Sequence, residues 1–127
     1  MTTRFNPQHG LIVVRVLVTG PGGAKTIRLA LDTGATSTLI NTAILVNLGY
    51  DPIASTQRIQ MTTGSGIEFV PVLTVSRLAA LGEEQLNFHV VAHTLPPSAS
   101  VDGLLGLDYL RNRDLLVSFR RGVITLS

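Results

Sequence analysis

The chain has 127 residues, a formal net charge of +2 and no cysteine. That length suits one domain, residues 1–127, with a modest core, and the missing thiols exclude disulfides, thiolate catalysis and cysteine-based zinc sites. Hydrophobic residues at 45% against charged ones at 14% exclude disorder, and they lead us to expect apolar surface covered by a partner.

In chain order, Met1–His9 is polar and reads as loose or edge-forming. Leu11–Val18 is rich in β-branched residues and predicts a strand. Gly20-Pro21-Gly22-Gly23 is a turn, and Lys25–Leu31 alternates as a second strand, making a hairpin. Asp32-Thr33-Gly34 breaks the alternation. Asn41–Leu48 predicts a short helix, capped by Asn41 and ended by Gly49. Thr56–Thr63 and Ile67–Ser76 predict two strands about a glycine-flanked tip, Gly64-Ser65-Gly66. A further hairpin is expected from Arg77–Leu81 and Leu86–His93 around Gly82-Glu83-Glu84-Gln85, with Leu86, Phe88 and Val90 on one face. After the Pro96–Ser100 loop come a short helix at Leu107–Arg111 and a last hairpin, Leu115–Phe119 with Val123–Leu126. Many short strands and one or two short helices define an all-β class.

No apolar run is long enough to cross a bilayer, because Leu11–Val18 and Leu104–Leu110 are interrupted by Arg15 and Asp108. No signal-peptide core follows Met1. Basic residues are scattered and aromatics reach only 5%, which argues against a nucleic-acid surface.

Asp32 places one carboxylate between two apolar runs, at the end of a buried strand, with Gly34 allowing close backbone approach. Asp-Thr-Gly alone is weakly specific, and the apolar flanks strengthen it. The phosphate loops of actin-like ATPases also follow a strand, but they need two α/β lobes that this length excludes. Asp102, before Gly103, reads as a turn residue rather than a second catalytic aspartate. Asp108 reads as a helix cap or backbone ligand, and Glu83-Glu84 as a solvated hairpin tip. His89 and His93 share a strand face but stand too far apart for a metal site.

Leu31-Asp32-Thr33-Gly34-Ala35 resembles the active-site loop of the retropepsins, the retroviral and retroviral-like aspartic proteases. Val101-Asp102-Gly103-Leu104-Leu105-Gly106-Leu107-Asp108-Tyr109-Leu110 resembles that family's second hallmark, closest to its bacterial and cellular members. The resemblance runs from about Leu11 to Leu126 and implies a small closed barrel-like domain that works as a two-fold homodimer. It makes Asp32 half of a catalytic dyad and Thr33, Gly34 and Ala35 the loop around it, with Thr33 bonding across to the partner loop. It makes Thr63, Gly64, Ser65 and Gly66 the flap. Leu104, Leu105 and Gly106 become the segment behind the site. Thr36 and Ser37 stand where retroviral members often carry acidic residues. The implied activity is hydrolysis of extended peptide or protein substrates with no cofactor and no metal. A catalytically idle peptide-binding or dimerisation module on the same fold is the alternative. A soluble chain, cytoplasmic in preference or excised from a membrane-tethered protein, is the expected setting.

Overall fold

The computed structural model describes all residues, Met1–Ser127. Ten strands and two short helices follow in the order β1 (Thr2–Arg4), β2 (Val13–Gly20), β3 (Gly23–Leu31), β4 (Leu39–Asn41), α1 (Thr42–Asn47), β5 (Arg58–Thr63), β6 (Gly66–Ala80), β7 (Glu83–His93), β8 (Gly103–Leu105), α2 (Leu107–Leu110), β9 (Leu115–Ser118) and β10 (Val123–Leu126). Strands β2, β3, β8, β4, β7 and β6 pair in that order, and β2 also pairs with β6, so the sheet closes into a six-stranded barrel. The all-β barrel expected from the sequence is the one observed. A second sheet, β1-β10-β9, lies at the chain termini.

Alternation builds the core. Val14, Val16 and Val18 of β2 and Ile27 and Leu29 of β3 point inward and are almost fully buried, as are Val75, Leu78, Leu105 and Ile124. Helix α1 starts where the Asn41 side chain accepts from the Ala43 N–H at 3.4 Å. It ends as Gly49 turns left-handed (φ 91°), with Tyr50 N–H bonding Leu45 O and Gly49 N–H bonding Val46 O, both at 3.0 Å, the pairing of a Schellman motif.

Several expected boundaries move. Met1–His9 is edge-forming at Thr2–Arg4, which pairs with β10, and Phe5 is buried. The first long strand begins at Val13 rather than Leu11, whose N–H is taken by the His9 ring at 3.2 Å. The expected strands Ile67–Ser76 and Arg77–Leu81 run together as one 15-residue strand, β6, which both expected hairpins share, pairing with β5 at its start and with β7 further on. The polar Ser76-Arg77 pair reads as a break, but Ser76 N–H donates to Tyr50 Oη and its hydroxyl to Thr19 O. Those side-chain bonds carry the extended chain past the interruption. The β6–β7 turn is only Leu81-Gly82, both with positive φ (56° and 78°), the conformation of a two-residue hairpin loop. Glu83 and Glu84 therefore belong to β7 and are not a free tip, pairing with Arg113 and Arg77. Leu86 is exposed, while Phe88 and Val90 pack on or in the core, with the left-handed Asn87 (φ 51°) between. Neither β4 nor β8 is foreseen, since three residues carry no readable periodicity.

Candidate active site

Strand β3 delivers Asp32 to the rim of the barrel. Leu31 N–H is held by Ile12 O at 2.8 Å and Asp32 N–H by Leu105 O at 3.0 Å, so the backbone is fixed on both sides. The chain then turns sharply, with Ala35 N–H returning to Asp32 O at 3.2 Å. Within that turn Asp32 Oδ1 accepts from Gly34 N–H at 2.8 Å. A Cβ on residue 34 would lie 3.1 Å from the same oxygen, which is why glycine suits the position. Asp32 Oδ2 has no hydrogen-bond partner within the chain, and the residue is half-exposed. Thr33 and Gly34 are exposed at the apex of the loop and Ala35 is half-buried.

Strand β8 slots between β3 and β4, parallel to the first and antiparallel to the second. This brings the two sequence motifs together. Leu105 is buried in the core and Leu104 faces the cleft, as expected of adjacent strand residues. A Cβ on Gly103 would overlap the Leu39 carbonyl, and one on Gly106 would lie 2.8 Å from Ala35 O and Ser37 O. Both glycines are thus required by close backbone approach.

A partly buried clamp locks the unit. Asp108 Oδ2 accepts from Thr38 N–H at 2.9 Å and Oδ1 from the Thr38 hydroxyl at 2.7 Å, while that hydroxyl accepts from Gly106 N–H at 3.1 Å. Leu107 and Asp108 N–H groups bond Ala35 O and Thr36 O. Asp108 is therefore a backbone ligand, although the residue at the helix cap is Gly106. Sequence reasoning found Asp108 but not its partner Thr38, which no short-range pattern links to it.

Asp32, Leu39, Leu104, Ile59 and Met61 border a cavity of about 560 Å³. Its upper wall is the β5 arm, Ile59–Thr62, a set the sequence reading did not single out; the alternation of Ile59 and Met61 was its signal. The tip residues Thr63, Gly64, Ser65 and Gly66 do not border this cavity. They close on themselves, with Thr63 Oγ1 bonded to Gly66 O at 3.1 Å and to Ser65 N–H at 3.3 Å. Asp102 is tied elsewhere, its Oδ2 accepting from Arg28 N–H at 2.9 Å. His89 Nδ1 bonds Thr74 Oγ1 at 2.8 Å, and no three His, Asp or Glu side chains are grouped to hold a metal ion. No helix is long and apolar enough to cross a membrane.

Residues 20–112 match the family described as "gag-polyprotein putative aspartyl protease". No curated protein matches the chain. Among solved structures, it is similar to a retropepsin-like aspartic protease from Rickettsia conorii, with a TM-score of 0.73 and 18% identity over 99% of this chain and 88% of that one. The likeness at that identity is one of fold, and the family match spans most of the chain. Together they establish that this chain belongs to the gag-polyprotein aspartyl protease family and has the retropepsin-like fold.

Proposed function

We propose that residues 1–127 form one aspartic endopeptidase domain, active as a two-fold homodimer in which Asp32 of each copy supplies half of a catalytic dyad. The observation that carries this reading is the tethering of one carboxylate at a cleft. Asp32 Oδ1 is held by Gly34 N–H at 2.8 Å, while Oδ2 is left free to bind a water or a second carboxylate.

One carboxylate is a poor catalyst of amide hydrolysis, and the chain has a single Asp-Thr-Gly. Two carboxylates a few ångström apart cannot both ionise easily, so they share a proton. The charged member takes a proton from a water between them, and that water attacks the peptide carbonyl. The protonated member donates to the carbonyl oxygen, and a proton then passes to the leaving amine. The exposure of Thr33 and Gly34 at the loop apex supports a meeting with the partner loop, across which the Thr33 hydroxyl would bond. The substrate would lie as an extended strand between the Asp32 loop and the β5 arm, with Thr63–Gly66 as the flap tip. The apolar walls, Leu39, Ile59, Met61 and Leu104, favour uncharged side chains beside the scissile bond.

The test is incubation with a diverse peptide mixture at several pH values, with new termini identified by mass spectrometry. The parent chain should generate new termini, and Asp32→Asn should generate none while retaining peptide binding and an unchanged melting temperature. Cleavage by a dimer built wholly of the variant would sink the assignment. Binding without cleavage by the parent would instead identify an idle peptide-binding module.

A further inference from the structure

Arg15 of β2 and Arg28 of β3 stand directly opposite each other in the antiparallel ladder, and both are exposed. Like charges so placed repel. Arg4 of β1 converges on the same place, and the three arginines with His9 line a cavity of about 540 Å³ that also presents Phe5 and Val13. None of the three has a carboxylate within ion-pair distance, since the ion pairs of the chain are Arg77–Glu84 and Arg113–Glu83. The acidic side chain that touches the group, Asp102, turns its Oδ2 to the backbone N–H of Arg28 and not to a guanidinium. The Arg28 guanidinium itself donates to Ser100 O at 3.0 Å. The chain has 8 acidic residues, and none of them forms an ion pair with this group.

We propose that this cavity binds an acidic peptide segment, an extended stretch in which carboxylate side chains alternate with apolar ones. Guanidinium forks match carboxylates in a two-point geometry. The apolar part of the lining fits the side chains between them, a surface that a small inorganic anion would leave bare. Asp32 does not line this cavity, so the proposal does not rest on the hydrolysis proposed above, and it is tested by binding alone.

The probe is a fluorescein-labelled heptapeptide alternating glutamate and leucine, followed by fluorescence anisotropy on the unmodified chain. Binding should be saturable and should weaken as salt is raised, and the same peptide with glutamine in place of glutamate should not bind. The double variant Arg4→Gln/Arg15→Gln keeps Arg28 and its bond to Ser100. It should weaken binding about tenfold or more while melting no lower than the parent, because it relieves the cross-strand repulsion. Equal binding of the glutamine peptide, or unchanged affinity in the variant, would overturn the proposal. So would displacement of the peptide by an equal concentration of inorganic phosphate, which would mark a small-anion site. Altered self-association of the variant without any peptide binding by the parent would overturn it too, by assigning the arginines to a second copy of the chain.

Discussion

Thr38 has no exposed surface, yet its hydroxyl both donates to Asp108 and accepts from Gly106 N–H. Replacing it by valine keeps the shape and leaves the buried Gly106 N–H without its partner, while Asp108 Oδ1 keeps the Tyr109 N–H at 2.9 Å. The expected cost of Thr38→Val is about 1–3 kcal/mol per unsatisfied group, seen as a lower melting temperature, and Thr38→Ser should recover most of it. Tyr109 tests a second buried hydroxyl. Its one proton is shared between Ala80 O and Glu83 O, and its oxygen accepts from Ala80 N–H. Burial raises its pKa above the ordinary 10.0, outweighing the opposing effect of its bond to the Ala80 backbone. Below that value both folded and unfolded chains keep the proton. Above it the unfolded chain loses its proton first, so this contribution to stability falls as pH rises through the folded-state pKa. Thermal melts between roughly pH 9 and pH 11 should show that fall, and Tyr109→Phe should melt lower at neutral pH but decline less. At this scale Gly34 was legible from the close approach its turn requires, and Asp32 and Gly106 from the two motifs that resemble those of the retropepsins. Thr38 was not, since its partner lies 70 positions away.

Strand β6 is one element with two mechanical halves. Toward its C-terminal end Leu78 is fully buried and pairs with both Val18 and Gln85. Toward its start Ile67 and Phe69 are exposed and pair only with β5. Local opening draws on few buried contacts in the hairpin and many in the barrel. Amide hydrogen exchange at Ile67 and Phe69 should therefore be at least about a hundredfold faster than at Val75 and Leu78; equal protection would refute the division. This element also shows where sequence reasoning stops. The run Ile67–Val75, with its three valines, predicts extended chain, but the polar Ser76-Arg77 step looks like an end. Only Tyr50 and Thr19, brought in from other elements, show why it is not. The hairpins were legible because turn residues separate their arms, whereas β4 and β8 take their strand character from neighbours and not from their own three residues.

For the whole molecule, the proposed dyad requires two copies, so specific activity should fall on dilution in the concentration range where sedimentation shows monomer. Full activity in the monomer would refute the shared dyad. The interlocking of β8 between β3 and β4 has a consequence for the order of folding. Arg28 and Asp102, bonded side by side, are 74 positions apart in the chain, and Asp32 N–H finds its acceptor only in Leu105. Bringing such distant segments together costs loop-closure entropy before any contact is gained, which places this topology among the slow folders, in milliseconds to seconds. A growing chain that has not yet supplied Gly103–Leu105 has Asp32 in its sequence but no strand to hold it. The loop proposed to carry the dyad therefore takes its shape only after the distant segment Gly103–Leu105 has entered the barrel, a step that precedes any meeting of two copies.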